Sequence, residues 1–206
     1  MNVGTDRNYC ITNHDSNHGN DKYADIFSIS MKQLYPSYEL SWRTEEDEKF
    51  RGSAAWKKIR LRILERDDFT CAYCGYRSEK RQQVNHIDGD PKNNEDENLE
   101  TICPDCHRVM HSGLWCTKMH TMRLYSRSNY SQNDIIRITR EMRSQGHSDE
   151  GIVKHLGLEG PLPWMQDLEY LRSLYAFNAS GVPMPTPKRF LTEEEQKARL
   201  KNRDKW

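Results

Sequence analysis

Two cysteine pairs with metal-binding spacing frame a run of polar residues in the middle of this chain. The pairs are Cys71-x2-Cys74 and Cys103-x2-Cys106, and four thiolates fill the tetrahedral coordination that Zn²⁺ adopts in structural sites. The spacing therefore predicts a structural zinc without an open coordination position. Buried free cysteines are the alternative. The string Cys103-x2-Cys106-His107 also matches a c-type haem attachment, but that interpretation leaves the first pair unexplained.

The polar residues between and just after these pairs could perform hydrolysis. They are Asn85 and His86, then Asn98, then His107 and His111. A histidine titrates near neutral pH, as a general base must. His107 and His111 are four residues apart and share one face of a helix. The alternative is that His86 and His107 are structural histidines whose ring nitrogens form hydrogen bonds within the core.

Short elements are expected to position these side chains. Ser53 caps an amphipathic helix that ends near Arg66, and Gly75 permits the tight turn of the first cysteine pair. The segment after this turn reads as strand, polar loop, strand and helix. The predicted ranges are a strand at 82–87, a loop at 88–97, a strand at 99–102 and a helix from Pro104 to Gly113.

Taken together, these motifs resemble the HNH nucleases, also called the His-Me finger or ββα-metal family. The resemblance covers residues 54–113 and rests on Trp56-x2-Ile-Arg60, Arg66-Asp67-Asp68-x2-Cys71-x2-Cys74-Gly75, Val84-Asn85-His86-Ile87, Asn94-x3-Asn98-Leu99 and Cys103-x2-Cys106-His107-x3-His111. It implies an α+β fold, in which a small zinc-stabilised ββα-metal core has flanking helices and a helical C-terminal region.

The resemblance also implies an activity, namely metal-dependent endonucleolytic hydrolysis of DNA to 5′-phosphate and 3′-hydroxyl ends. RNA is not excluded as a substrate. The implied catalytic residues are His86 as general base, Asn98 as the residue that fixes the His86 ring or backbone, and His107 as ligand of Mg²⁺ or another divalent cation. His111 is a second ligand or a phosphate contact.

One residue departs from the family pattern. Asn85 stands where the family commonly has an aspartate or histidine that ligates the catalytic cation. A neutral amide oxygen binds a hard cation more weakly than a carboxylate does. Either Asn85 still binds the cation, or Asp88 or Asp90 replaces it, or catalysis is impaired. The competing hypothesis is therefore an inactive zinc module that binds nucleic acid or another protein.

Charge is balanced overall but unevenly distributed. The chain has 31 basic and 31 acidic residues among 206, so its net charge identifies no partner. Residues 1–50 are acidic, whereas residues 51–81 and 107–147 are basic, which suits a polyanion such as DNA. Solvated helix faces are the alternative interpretation of these two segments.

Four regions are predicted from composition and periodicity. Residues 1–50 form a polar, partly disordered segment in which His14 and His18 are incidental, and residues 51–115 form the nuclease core. Residues 116–180 read as helical, with helices at 131–145, after Ser148 and at 162–177. These helices fit either a helix-turn-helix or a helical cap on the core. Residues 181–206 form a proline-rich linker and a charged helix with a Thr192-x2-Glu195 capping box.

The remaining cysteines and the hydropathy indicate the cellular setting. Cys10 and Cys116 lack a paired partner; Cys116-x3-His120 resembles half of a zinc site, and we interpret both cysteines as ordinary residues. A mean hydropathy of −1.00, without a long apolar run or a signal-like N-terminus, predicts a cytoplasmic protein with no membrane partner. The sequence gives no oligomeric state.

Overall fold

A computed structural model describes residues 31–37, 43–180 and 191–202. Predictions for residues 1–30 and for the linker at 181–187 lie outside the described residues. The described elements are helices α1 (Glu45–Gly52) and α2 (Ala54–Arg66), strand β1 (Gln83–His86), a 3₁₀ turn (Asp96–Asn98), strand β2 (Leu99–Ile102), helices α3 (Pro104–Met110) and α4 (Ser112–Thr117), strand β3 (Met122–Arg127), helices α5 (Gln132–Ser144) and α6 (Asp149–His155), strand β4 (Glu159–Leu162), helix α7 (Leu168–Arg172), strand β5 (Tyr175–Asn178) and helix α8 (Glu193–Asn202). The fold is α+β, as predicted.

The first two helices begin where the sequence supplies a cap. Thr44 and Asp47 form a capping box at the start of α1. The Ser53 side chain accepts a hydrogen bond from the Trp56 amide at the start of α2, which confirms the predicted helix to Arg66. The apolar face of α2 packs on β1 and β2 through a buried cluster of Trp56, Ile63, Leu64, Val84 and Leu99. This cluster fixes the strand pair against α2.

The predicted strand–loop–strand–helix unit is confirmed. Strands β1 and β2 are antiparallel, with Asn85 opposite Glu100, and α3 follows. The predicted helix end at Gly113 is wrong, because α3 ends at Met110 and a second helix starts at Ser112. His111 leaves the helical conformation, and the backbone of Gly113 donates to the carbonyl of Ser37. The segment at 31–37 thus contacts the chain near the junction of α3 and α4.

The C-terminal region contains a sheet as well as helices. Helices α5 and α6 start at Ser131 and Ser148 caps, as predicted. The predicted helix at 162–177 is wrong: only Leu168–Arg172 is helical, and β4 and β5 pair with β3 in an antiparallel sheet of order β4-β3-β5. Pro161 and Pro163 precede α7, which begins only at its Asp167 cap. Within 43–180, the one helix after α6 is therefore only 5 residues long, much shorter than the predicted third helix.

A buried cluster joins the four paired cysteines to the C-terminal elements. It contains all four cysteines together with Leu34, Val109, Leu124, Ile136 and Leu171, among others. A second cluster packs α5 and α6 on the three-stranded sheet. The predicted domain boundary at residue 115 stays a prediction.

Helix α8 starts with the predicted capping box, since the Glu195 amide donates to Thr192 Oγ1 and the Thr192 amide donates to Glu195 Oε2. Gln196 then donates to Asp47, which brings α8 against α1. Among the described segments, every helix is too short or too polar to span a bilayer.

Candidate functional site

The four cysteines converge in the core of the protein. Their Sγ atoms lie within 4.8 Å of one another and all four are buried. The sulfurs of Cys74 and Cys103 are 3.6 Å apart, close to the roughly 3.8 Å that two ligands have on a tetrahedral zinc with Zn–S of about 2.3 Å. Arg140 donates to both of these sulfurs, which places positive charge beside the thiolates. The donor set therefore fits a structural zinc.

No comparable cluster surrounds the Cys116-x3-His120 pair. Within 31–37, 43–180 and 191–202, the four-cysteine group is the one set of three or more metal-ligating side chains with converging donor atoms. Cys116 is half-buried and His120 is exposed. Cys10 lies outside the described residues.

The His86 ring is oriented by two neighbours. It stacks on Trp56, with ring centroids 5.5 Å apart and planes at 17°. Its Nε2 lies 3.2 Å from Asn94 Oδ1, and Asn94 Nδ2 donates to the carbonyl of Lys92. Because an amide oxygen only accepts, these hydrogen bonds assign the proton to Nε2 and leave Nδ1 as the basic nitrogen. Burial lowers the pKa of His86, so the ring is neutral at neutral pH.

Asn98 fixes the loop after His86. Its Oδ1 accepts from the Asp88 amide at 2.9 Å, and its Nδ2 donates to Asp88 Oδ1 at 2.8 Å and to the Asn93 carbonyl at 2.9 Å. The expected contact of the Asn98 amide with His86 is corrected accordingly, since the His86 ring donates its hydrogen bond to Asn94 instead. The Asp88 carboxylate also accepts from the Asp90 amide. Because Asp88 Oδ1 already accepts these hydrogen bonds within the loop, Asp88 is disfavoured as a replacement cation ligand.

His107 and His111 direct two ring nitrogens at each other. The Nε2 atoms are 3.0 Å apart and the rings are nearly perpendicular. His107 Nδ1 lies 2.6 Å from Gln83 Oε1, so Nδ1 carries the proton and Nε2 keeps its lone pair. Burial lowers the pKa of both rings, to about 4 for His111. Because His107 Nε2 can then only accept, the 3.0 Å contact assigns the proton between the rings to His111 Nε2. A cation between the rings would require that proton on His111 Nδ1, and the two neutral imidazoles would then form a typical ligand pair.

The Asn85 amide is oriented by a buried carboxylate. Its Nδ2 donates to Glu100 Oε1 at 2.9 Å and lies 3.7 Å from Met110 Sδ. Glu100 also accepts from Tyr73 and Lys32. Since a carboxylate only accepts, the Asn85 nitrogen must face Glu100 and its oxygen must face away.

This orientation has two consequences. None of the described residues donates a hydrogen bond to Asn85 Oδ1, so that oxygen keeps its capacity to accept. An aspartate at this position would instead bring two carboxylates into contact, because Asn85 and Glu100 are both buried. Asparagine, the residue that departs from the family pattern, is therefore compatible with the buried Glu100 carboxylate, whereas aspartate is not.

Two arginines give the histidine side of the site a positive potential. Burial and the charge of Arg51 lower the pKa of Arg43 to about 10. The Arg43 charge adds to burial in lowering the pKa of His86, His107 and His111. The Nε of Arg51 is buried and has no acceptor among the described residues. Such an environment suits a phosphate group.

Sequence reasoning did not identify Glu100, Gln83 or Arg43. Glu100 is opposite Asn85 in the strand pairing, so working out the register would have located it. Gln83 lies two residues before Asn85 and therefore on the same face of β1. Arg43 precedes α1 in a segment without a motif.

Residues 71–113 match a family model described as HNH endonuclease. This range contains both cysteine pairs and the five polar residues between and just after them: Asn85, His86, Asn98, His107 and His111. The match confirms the resemblance predicted from these motifs.

Two curated proteins are similar to parts of the chain. Zorya protein ZorE of Escherichia coli is 30% identical over 120 residues, which cover 52% of this chain and 32% of that protein. Type 4 apparatus protein DotN of Legionella pneumophila is 35% identical over 66 residues, which cover 32% of this chain and 30% of that protein. The chain thus spans about a third of the length of each of these relatives.

Proposed function

Because residues 71–113 carry an HNH endonuclease domain, we propose that the chain is a metal-dependent endonuclease that hydrolyses phosphodiester bonds in DNA. The observation that carries the proposal is the convergence of the two Nε2 atoms of His107 and His111, 3.0 Å apart, in a domain whose strand also carries the neutral base His86.

Each side chain has a distinct task in the proposed reaction. His86 Nδ1 takes a proton from the water that attacks phosphorus. His107, His111 and the Asn85 oxygen would hold the divalent cation, which, when bound, neutralises phosphate charge and stabilises the leaving oxygen. Arg43 and Arg51 offer N–H donors to the phosphate oxygens. The products, as the family implies, carry 5′-phosphate and 3′-hydroxyl ends.

A second candidate function is a zinc module that binds nucleic acid or protein without turnover. It is favoured by the neutral residue at position 85 and by the name of DotN, which describes part of an apparatus. This alternative predicts salt-sensitive binding that persists unchanged in His86→Ala and His107→Ala.

Cleavage of supercoiled plasmid, single-stranded DNA and RNA with Mg²⁺ or Mn²⁺ tests the proposal. His86→Ala should lower the rate by about 10² to 10⁴-fold, the usual contribution of a positioned base. His147→Ala is the matched control, because His147 is exposed and lies outside the site. Absence of turnover with any divalent cation, or full activity in His86→Ala, would refute the proposal.

A further inference from the structure

A second concave site lies beside α3, away from His107. Its volume is about 610 Å³, and it is enclosed by the turn after the first cysteine pair, α3, α5 and the end of β5. Asp105 of α3 contributes to its wall. At about 100° per residue, Asp105 projects roughly 160° away from His107 around the helix. The proposed reaction therefore makes no use of this cavity.

The lining of the cavity is strongly basic. It contains one carboxylate, that of Asp105, and four guanidinium groups, those of Arg81, Arg108, Arg140 and Arg143. These arginines come from both basic segments of the sequence, 51–81 and 107–147. The fold thus brings the two segments together around one cavity.

Two of these arginines are available to a ligand. Arg140 is engaged with the cysteine sulfurs and Arg143 with Asp149. Arg108 lies 3.8 Å from Asp105, at the limit of an ion pair. Arg81 is exposed and has no hydrogen bond or ion pair with a described residue. Arg81 and Arg108 can therefore receive an anion.

Two buried polar atoms in the same lining lack a partner among the described residues. Thr139 is 6% exposed and Asn178 is 4% exposed, and neither Thr139 Oγ1 nor Asn178 Oδ1 has a hydrogen bond. Buried polar atoms nearly always have one. Thr139 Oγ1 can donate to a phosphate oxygen, and Asn178 Oδ1 can accept from a hydroxyl or amino group of a nucleotide.

Base stacking is a poor explanation for this cavity. Tyr76 is the one aromatic residue in its lining, and the Arg140 guanidinium lies over the Tyr76 ring, 4.0 Å from its centroid. Charge and hydrogen bonding consequently dominate the site, which favours a backbone rather than a base.

We propose that this cavity binds the sugar-phosphate backbone of a nucleic acid, with Arg81 and Arg108 on the phosphate and Thr139 and Asn178 completing the hydrogen bonding. The proposal rests on nucleic acid being the substrate of the proposed function. Because the lining includes none of His86, Asn98, His107 and His111, the cavity contributes affinity and leaves the chemical step unchanged.

Fluorescence anisotropy with labelled DNA and RNA oligonucleotides tests this proposal in the full chain carrying His86→Ala. The double variant Arg81→Ala/Arg108→Ala should weaken binding on the order of tenfold and reduce the salt slope by about one or two units. Arg137→Ala is the control, because Arg137 is an exposed arginine of α5 outside the lining. An equal loss in Arg137→Ala, or no loss with either polymer, would overturn the proposal.

Thr139→Val separates ligand binding from folding. The variant removes an unpartnered hydroxyl at nearly constant volume, so the melting temperature should stay or rise while nucleic-acid affinity falls about threefold. A lower melting temperature, or unchanged affinity, contradicts the assignment of Thr139.

Cleavage kinetics distinguish a failure of the cavity proposal from a failure of the proposed nuclease function. With His86 intact, Arg81→Ala/Arg108→Ala should raise KM and keep kcat. Absence of cleavage in the parent chain, together with weaker binding in these variants, would refute the nuclease and support the cavity. Normal cleavage with an unchanged KM would refute the cavity alone.

Discussion

Replacing Asn85 by aspartate should destabilise this protein, although it restores the residue type that the family commonly has. The Asn85 amide lies 2.9 Å from the Glu100 carboxylate and both side chains are buried. Two unit charges about 4 Å apart repel by about 4 kcal/mol at an effective dielectric constant of about 20. Protonating one carboxyl at pH 7 costs a similar amount, since its ordinary pKa is about 4.

The expected loss in Asn85→Asp is therefore about 3–4 kcal/mol of unfolding free energy at neutral pH, or on the order of 10 °C in melting temperature. The loss depends on pH. The shared pair has a raised pKa in the folded state, so the folded variant binds more protons than the unfolded one between the two pKa values. Stability therefore falls as pH rises, and the difference from the parent protein should be smallest near pH 5.

Thermal denaturation between pH 5 and 8, in buffer without Mg²⁺ or Mn²⁺ and with zinc retained, measures this effect. Asn85→Asp/Glu100→Gln should recover most of the loss, because the amide introduced at position 100 can donate to the new carboxylate. Glu100→Gln alone is the control. If Asn85→Asp is as stable as the parent at pH 7, or if the double variant is no better than the single one, Glu100 does not orient position 85.

Three further predictions concern the zinc, the base and the C-terminal region. Cys71→Ser should release zinc and lower the melting temperature, and a metal assay that still finds one zinc per chain would contradict the ligand set. Because burial lowers the pKa of His86, the cleavage rate should rise with pH through a midpoint below about 6.5, the ordinary value for histidine, and be flat above pH 7; a midpoint above 7 would exclude His86 as the base in its buried state. Gly157→Ala should cost about 1–3 kcal/mol, because Gly157 has φ +62° and a Cβ there would collide with the Asn129 side-chain amide; a melting temperature equal to that of the parent would refute this strain.

The ββα unit was predictable because its signals are local. Cysteine spacing, turn residues and a proline at the first position of α3 each act over a few residues, and the elements between residues 53 and 110 agree with them. The end of α3 was not predictable in this way. It depends on Ser37, whose carbonyl accepts from Gly113 across a large separation in sequence.

The C-terminal sheet shows a second limit of local patterns. Leu168, Leu171 and Leu174 recur at helical spacing, yet Leu174 lies beyond the short α7 and packs beside the cysteines. The strand after it pairs with β3, which the sequence did not reveal as a strand. Such pairing is a non-local contact, and burial of the same leucines is compatible with either structure.

The proposed catalytic side of the site consists almost wholly of neutral donors. Burial keeps His107 and His111 uncharged at neutral pH by lowering the pKa of each ring, and in this proposal Asn85 supplies an amide oxygen in place of a carboxylate. Two imidazoles suit transition-metal ions better than Mg²⁺, which prefers carboxylates. With Arg43 nearby and no carboxylate among these three proposed donors, the substrate phosphate would supply negative charge that helps to hold a divalent cation. Cation and nucleic acid should therefore strengthen each other's binding by the same factor. That reciprocity would reconcile a neutral residue at position 85 with an active nuclease, since the cation site is completed by the molecule that is cut.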